Sequence, residues 1–150
     1  MAKHHIRDIL KAIAAEEPST PEAAVEAAVA VFRKITTVAC NRQQTPLFAS
    51  LERRLFWAWL VRTLRKHVEV PAVVEAGCKA IANLAYDCDN RRILGVIGAC
   101  EAVVVALRSN LGEMGNEAAR QAAEKALANL QFNHCTSNME RINAALGPHV

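Results

Sequence analysis

Glycine and proline are scarce in this sequence, six and five among 150 residues, which disfavours a turn-rich all-β protein. No apolar stretch approaches the roughly 20 residues that a bilayer span requires, so no membrane span is expected. The N-terminal Met1-Ala2-Lys3-His4-His5-Ile6-Arg7-Asp8 carries charge but lacks the continuous apolar core of a signal peptide. An excess of charge of one sign is also missing. Lys and Arg total 18 against 15 Asp and Glu, a net of +3, where a cationic sheath for nucleic acid would be more lopsided. The five cysteines, Cys40, Cys78, Cys88, Cys100 and Cys135, are odd in number and contain no C-x-x-C pair, which argues against a disulfide framework or a zinc site. They read as reduced thiols filling gaps in a helical core, and a cytoplasmic or nuclear compartment follows. Hydrophobic residues make up 52% of the chain, enough to exclude intrinsic disorder and to build one domain with a sizeable core.

What is present is helical periodicity, with no convincing period-two alternation. The apolar spacing predicts helices over about 4–17, 21–40, 47–67 and 71–87. A short helix opens at Asp89 and is interrupted by Gly95 and Gly98. Further helices follow over about 99–110, 116–132 and 138–146. Pro21 and Pro71 stand at helix starts, where the missing N–H costs nothing, and Gly147-Pro148 ends the last helix.

An internal repeat is visible. Ala80-Ile81-Ala82-Asn83-Leu84-Ala85-Tyr86 recurs as Ala126-Leu127-Ala128-Asn129-Leu130-Gln131-Phe132, a spacing of 46. Ile93, Ile97 and Gly98 match Ile142, Leu146 and Gly147 at 49, and Phe32, Ile35 and Asn41 match Ile81, Leu84 and Asn90 at the same distance. Such periods lie at the upper edge of the two- and three-helix solenoid repeats.

At these positions the chain resembles the armadillo-repeat family. Asn90-Arg91-Arg92-Ile93, Ile97-Gly98-Ala99, Val103-Val104, Ala106-Leu107 and Ala126-Leu127-Ala128-Asn129-Leu130 follow that family's pattern of a short helix, a glycine and two longer helices. The resemblance is strongest over residues 71–150, and HEAT-type repeats are the nearest class to confuse with it. It implies an all-α, right-handed α-solenoid superhelix of about three repeats, the last one truncated. The chain would form a single domain over 1–150. Residues 4–40 give a partial first repeat, 41–88 a second that lacks the glycine pair, 89–134 a third, and 136–150 the start of a fourth. No polar capping helix follows that start, so a fragment of a longer array, or end-to-end self-association through open repeat ends, is expected.

The resemblance also implies a function: an interaction scaffold whose third helices line a concave groove for a protein or an extended peptide. The family's groove asparagine falls on Asn83 and Asn129, with Lys34 at the matching place in the first repeat. One turn back lie Lys79, Lys125 and Ala30, where importin-type members carry tryptophan. Another turn back lie Glu75, Gln121 and Glu26. Residues four apart share a helix face, and an asparagine amide offers both a donor and an acceptor to a strand. The other reading is that the asparagines satisfy backbone groups of the neighbouring repeat.

A second candidate surface is the basic run around the tryptophans. Arg62, Arg65 and Lys66 share one face, with Trp59 at its edge and Trp57 opposite them in the core. A rim tryptophan among cations suits an anchor for an acidic partner, although the favoured reading is that Trp59 packs on a neighbouring repeat and the arginines form a solvated face. Residues 1–70 carry 11 basic and 7 acidic groups, and residues 71–150 carry 7 and 8. That asymmetry is too mild for nucleic-acid binding.

Catalysis finds no support. No phosphate loop, G-x-S-x-G elbow or H-E-x-x-H occurs. Glu16-Glu17 and His134-Cys135 are sequence neighbours, which diverge around a helix, and Cys88 has the carboxylates of Asp87 and Asp89 beside it rather than a base or a cation. No metal or cofactor is expected. Two other functions fit the same sequence: a structural module that stacks through its ends, and a regulatory armadillo fragment of a larger protein.

Overall fold

Pro71 fixes the first turn of a helix because its ring presets φ and its missing N–H is not needed there. Helix α2 accordingly begins at that residue, after Val70 in extended conformation, and runs Pro71–Leu84. The computed structural model describes residues 23, 25–30, 32–33, 50–111, 116–132 and 135–147, with the backbone alone over 50–56. Ahead of α2 stand helical residues within 23–33 and helix α1, Ser50–Lys66. After it come α3 (Cys88–Val96), α4 (Ala99–Ser109), α5 (Glu117–Leu130) and α6 (Thr136–Leu146). Among the described residues every regular element is helical.

Local chemistry sets the boundaries. Asp87 caps α3, its carboxylate accepting the Asn90 N–H at 2.9 Å. Gly98, at φ +99°, makes the reversal into α4 that a side chain would strain. Gly95 does not interrupt α3, contrary to the sequence expectation. It lies buried inside that helix, because α6 crosses so closely that a Cβ there would collide with Asn138 Oδ1 and stand 2.8 Å from Arg141 Nη1. The α6 helix starts at Thr136, ahead of the expected Asn138.

Counterpart helices pack on one another: α1 on α4, α2 on α5 and α3 on α6, with α2–α5 the most extensive contact. The α2 and α5 helices are both 14 residues long and begin 46 residues apart. Ala119, Ala122, Ala123 and Ala126 are all buried on α5, and such small side chains allow the two axes to approach closely. Asn90 and Leu94 in α3 take the same buried places as Asn138 and Ile142 in α6, a spacing of 48. The buried register thus pairs Leu94, not Ile93, with Ile142.

The core runs between the α1/α4 and α2/α5 layers, through Trp57, Leu60, Leu64, Val73, Ile81, Leu94, Val103 and Leu130. Each fully buried aliphatic side chain contributes roughly 1.5–3 kcal/mol. Phe32 closes the core over Gly77, where a Cβ would stand only 3.0 Å from its ring. Trp57 is buried as expected and donates its indole N–H to Asn90 Oδ1 at 3.3 Å, while Asn90 Nδ2 is buried and has no hydrogen-bond partner among the described residues.

Cys78 and Cys100 fill the core as reduced thiols, whereas Cys88 is exposed and Cys135 half-buried, so the gap-filling role holds only for the first two. Cys40 lies outside the described residues. Burial pushes the Cys78 thiol from 9.0 up to about 12 and the Cys100 thiol to about 12, the Glu101 charge adding to the latter. Between those values the unfolded chain releases protons that the folded chain retains, so these thiols lower stability as pH rises from 9.0 toward 12. Chemical denaturation midpoints should fall over that window, and less steeply in Cys78→Ala/Cys100→Ala. An unchanged slope in the double variant would show that the thiols do not drive it.

Candidate functional site

The solvent faces of α2 and α5 form one surface. On α2 it reads Ala72, Glu75, Lys79, Asn83 and, just past the helix, Tyr86. At a spacing of 46 on α5 it reads Ala118, Gln121, Lys125, Asn129 and Phe132. The offsets within each stripe keep all five positions on one side of the helix, and the packing of α2 on α5 sets the stripes side by side.

Part of this surface is satisfied from within. Lys79 Nζ pairs with Glu75 Oε1 at 2.9 Å, and Gln121 Nε2 donates to Glu117 Oε1 at 3.2 Å. Asn129 Nδ2 donates to the Ala82 carbonyl at 2.9 Å, across 47 residues of chain. Its amide N–H therefore ties α5 to α2, which is the backbone-satisfying role. Asn83 is half-buried at the equivalent place, and Lys125 is exposed. Lys34 lies outside the described residues.

Asn129 belongs to a set of asparagine ties. Asn110 Nδ2 donates to Val68 O at 3.2 Å and to Ala106 O at 2.7 Å, pinning the C-terminal ends of α1 and α4 together. Asn138 Nδ2 donates to Arg91 O at 3.1 Å and Leu130 O at 2.9 Å. Each amide satisfies carbonyls near helix ends or at helix crossings, groups that burial would otherwise leave costly.

Sequence reasoning assigned no role to the aromatics that end the two stripes. Tyr86 is 50% and Phe132 58% exposed. Buried Arg91 sits between them. Its Nε donates to Ala85 O at 2.9 Å and its Nη2 to Tyr86 O at 3.3 Å, and its guanidinium carbon stands 5.3 Å from the Phe132 ring centroid. The cation thus caps the negative end of α2 and stacks on the ring of the next unit. The signal was in the sequence, since both copies of the Asn-Leu block are followed at the same distance by an aromatic.

The α1 residues form the second candidate patch. Arg62, Arg65 and Lys66 are exposed on one face. Trp59 is half-buried and packs edge-on against Phe32, ring centroids 5.5 Å apart at 62°, so it serves the core as well as the rim.

The edge of α5 differs from that of α2. Val74, Cys78, Ala82 and Ala85 are buried on α2, whereas their counterparts Arg120, Glu124, Ala128 and Gln131 are exposed or half-buried. What is covered on α2 and open on α5 is the stripe that a following helix would cover, and on α5 it is largely polar.

Comparison with protein-family models, with curated proteins and with solved structures returns no match. Among the described residues no group of three or more His, Cys, Asp or Glu is placed to hold a metal ion, and no helix is long and apolar enough to cross a membrane.

Proposed function

We propose that this chain is a protein-interaction module of armadillo-like helical repeats, wound as a right-handed solenoid, that presents the α2/α5 face to an extended segment of a partner protein. The observation that carries the reading is the position-by-position match of two adjacent stripes. Glu75/Gln121, Lys79/Lys125, Asn83/Asn129 and Tyr86/Phe132 repeat the same order of polar, cationic, amide and aromatic groups at one spacing. A periodic surface suits a periodic ligand, and an extended chain is periodic. Because the helices are fixed by their own core, little ordering cost falls on the binding step. The role is binding rather than catalysis.

The competing idea of a module that stacks end to end is weakened by the α5 edge. Covering the Arg120–Glu117 pair and Glu124 with another copy would desolvate those charges. Molar mass by light scattering should therefore stay constant across a concentration series.

A random peptide library displayed on phage and selected on the immobilised protein tests the groove directly. Enriched peptides, measured by fluorescence anisotropy, should bind about tenfold more weakly to Lys125→Glu and to Phe132→Ala, and equally to Arg65→Glu. Absence of enrichment, or binding indifferent to the first two variants, would sink the reading. Asn129→Ala belongs in a separate measurement. Removal of its tie to Ala82 O should cost about 1–2 kcal/mol of stability, which thermal melting reads without any ligand.

A further inference from the structure

The α1/α4 layer carries a second surface, on which exposed cations without ion pairs are clustered rather than single. Lys79 pairs with Glu75 at 2.9 Å on α2, Arg92 with Asp89 at 2.8 Å on α3 and half-buried Arg120 with Glu117 at 3.6 Å on α5, while exposed Lys125 on α5 stands alone without an ion pair among the described residues. On α1, Arg62, Arg65 and Lys66 are exposed, and among the described residues none of them forms an ion pair.

The repeat spacing extends this patch onto α4. At a distance of 46, Trp59 matches Val105, Arg62 matches Arg108 and Arg65 matches Leu111. The packing of α1 on α4 and the bond from Asn110 Nδ2 to Val68 O place the two rows side by side. Arg108 is exposed and reaches the Leu146 carbonyl with one guanidinium nitrogen, which fixes its position. Val105 and Leu111 are 44% and 58% exposed, two of the few large apolar side chains that face solvent. Among the described residues the acidic groups nearest in sequence are half-buried Glu101, one turn before Val105, and exposed Glu69, beyond the end of α1. His67 adds no charge at neutral pH, because partial burial and the Lys66 charge hold it below 6.5. Among the described residues four cations thus stand against two carboxylates, with apolar side chains set among them.

We propose that the α1/α4 face is a second docking surface, independent of the α2/α5 groove, and that its occupant is a short acidic amphipathic helix of a partner protein. The cations span about one helical turn, roughly 5.4 Å of rise, on axes about 10 Å apart. That area fits about two turns of a docked helix. Its carboxylates would meet Arg62, Arg65, Lys66 and Arg108, and its apolar face would cover Val105 and Leu111. Arginine among apolar neighbours is the composition of interface centres, and unneutralised cations speed and orient the arrival of an acidic partner. A nucleic acid fits less well. Its affinity rests on several phosphate contacts, commonly about 6–10, and apolar side chains contribute nothing to them.

The test uses a fluorescein-labelled helical Glu/Leu peptide as probe, with polyglutamate, a single-stranded oligonucleotide and phosphatidylserine vesicles as comparisons. The peptide should bind saturably, lose about tenfold in affinity with Arg62→Glu/Arg65→Glu/Lys66→Glu, and lose a similar amount with Val105→Asp. Polyglutamate should bind more weakly than the Glu/Leu peptide. Lys125→Glu and Phe132→Ala should leave the peptide unaffected, which separates this surface from the groove. Should charge reversal disturb folding, Arg62→Gln/Arg65→Gln/Lys66→Gln serves in its place, with melting temperature as control. Absence of saturable binding, or insensitivity to the α1 variants, overturns the proposal. So does equally tight, α1-dependent binding of the oligonucleotide or the vesicles.

Discussion

Gly95→Ala is expected to lower the free energy of unfolding by about 2–3 kcal/mol, although alanine is the better helix former by about 1 kcal/mol. The added methyl would collide with Asn138 Oδ1 and stand 2.8 Å from Arg141 Nη1. Asn138 is wholly buried and cannot swing away without releasing the Arg91 and Leu130 carbonyls. Either α6 lifts from α3 or two buried carbonyls lose their donor, and both outcomes cost more than the propensity gain. For a chain of this size the loss amounts to roughly 5–10 °C in melting temperature. A double-mutant cycle makes the cause specific. Asn138→Ala alone should cost about 2–3 kcal/mol, because it strands the same carbonyls. Once it is made, the alanine at 95 meets only the movable end of the Arg141 side chain, so the double variant should lose clearly less than the two single losses combined. Strict additivity would mean that the two positions do not touch.

Arg91→Met should cost about 2–4 kcal/mol, since methionine keeps much of the length and apolar stem but none of the donors. The Ala85 and Tyr86 carbonyls at the end of α2 would lose their partner, and the Phe132 ring would lose the cation beneath it. Arg91→Lys should recover less than half of the loss. An ammonium keeps the charge near the helix end but lacks the planar fork that serves two carbonyls and stacks on a ring. Full recovery in the lysine variant would show that charge alone matters. Chemical denaturation of the three proteins decides between the outcomes. Both predictions concern contacts between successive units, where a single residue tends two or three backbone groups at once.

Much of the helical layout is legible from side-chain chemistry that acts over a few residues. Pro71 announces the start of α2, Gly98 the turn into α4, and Gly147 the end of α6, because φ restrictions are local. The face occupied by Arg62, Arg65 and Lys66, with Trp57 opposite, follows from 100° per residue alone. The spacing of 46 between the Asn-Leu blocks likewise reappears as two helices of equal length laid against each other. Other positions carry no such local mark. Gly95 reads as a breaker because glycine usually is one, yet here it marks a close crossing. Cys88 reads like the buried cysteines, and only the placement of the α3 start exposes it.

Among the described residues the sequence by itself determined the helical class, the helix positions from α1 onward and the residues that share a solvent face, because periodicity and backbone preference act within one or two turns. The helix expected over 4–17 lies outside the described residues. Only the tertiary structure decided what those residues touch. It gave the Asn129 amide to Ala82 O rather than to solvent, set Trp59 against Phe32, placed Arg91 between Tyr86 and Phe132, and laid α4 against α1. Each of these depends on how helices far apart in the chain are offset along and around one another. That offset is settled by the packing of the whole core, and no single segment encodes it.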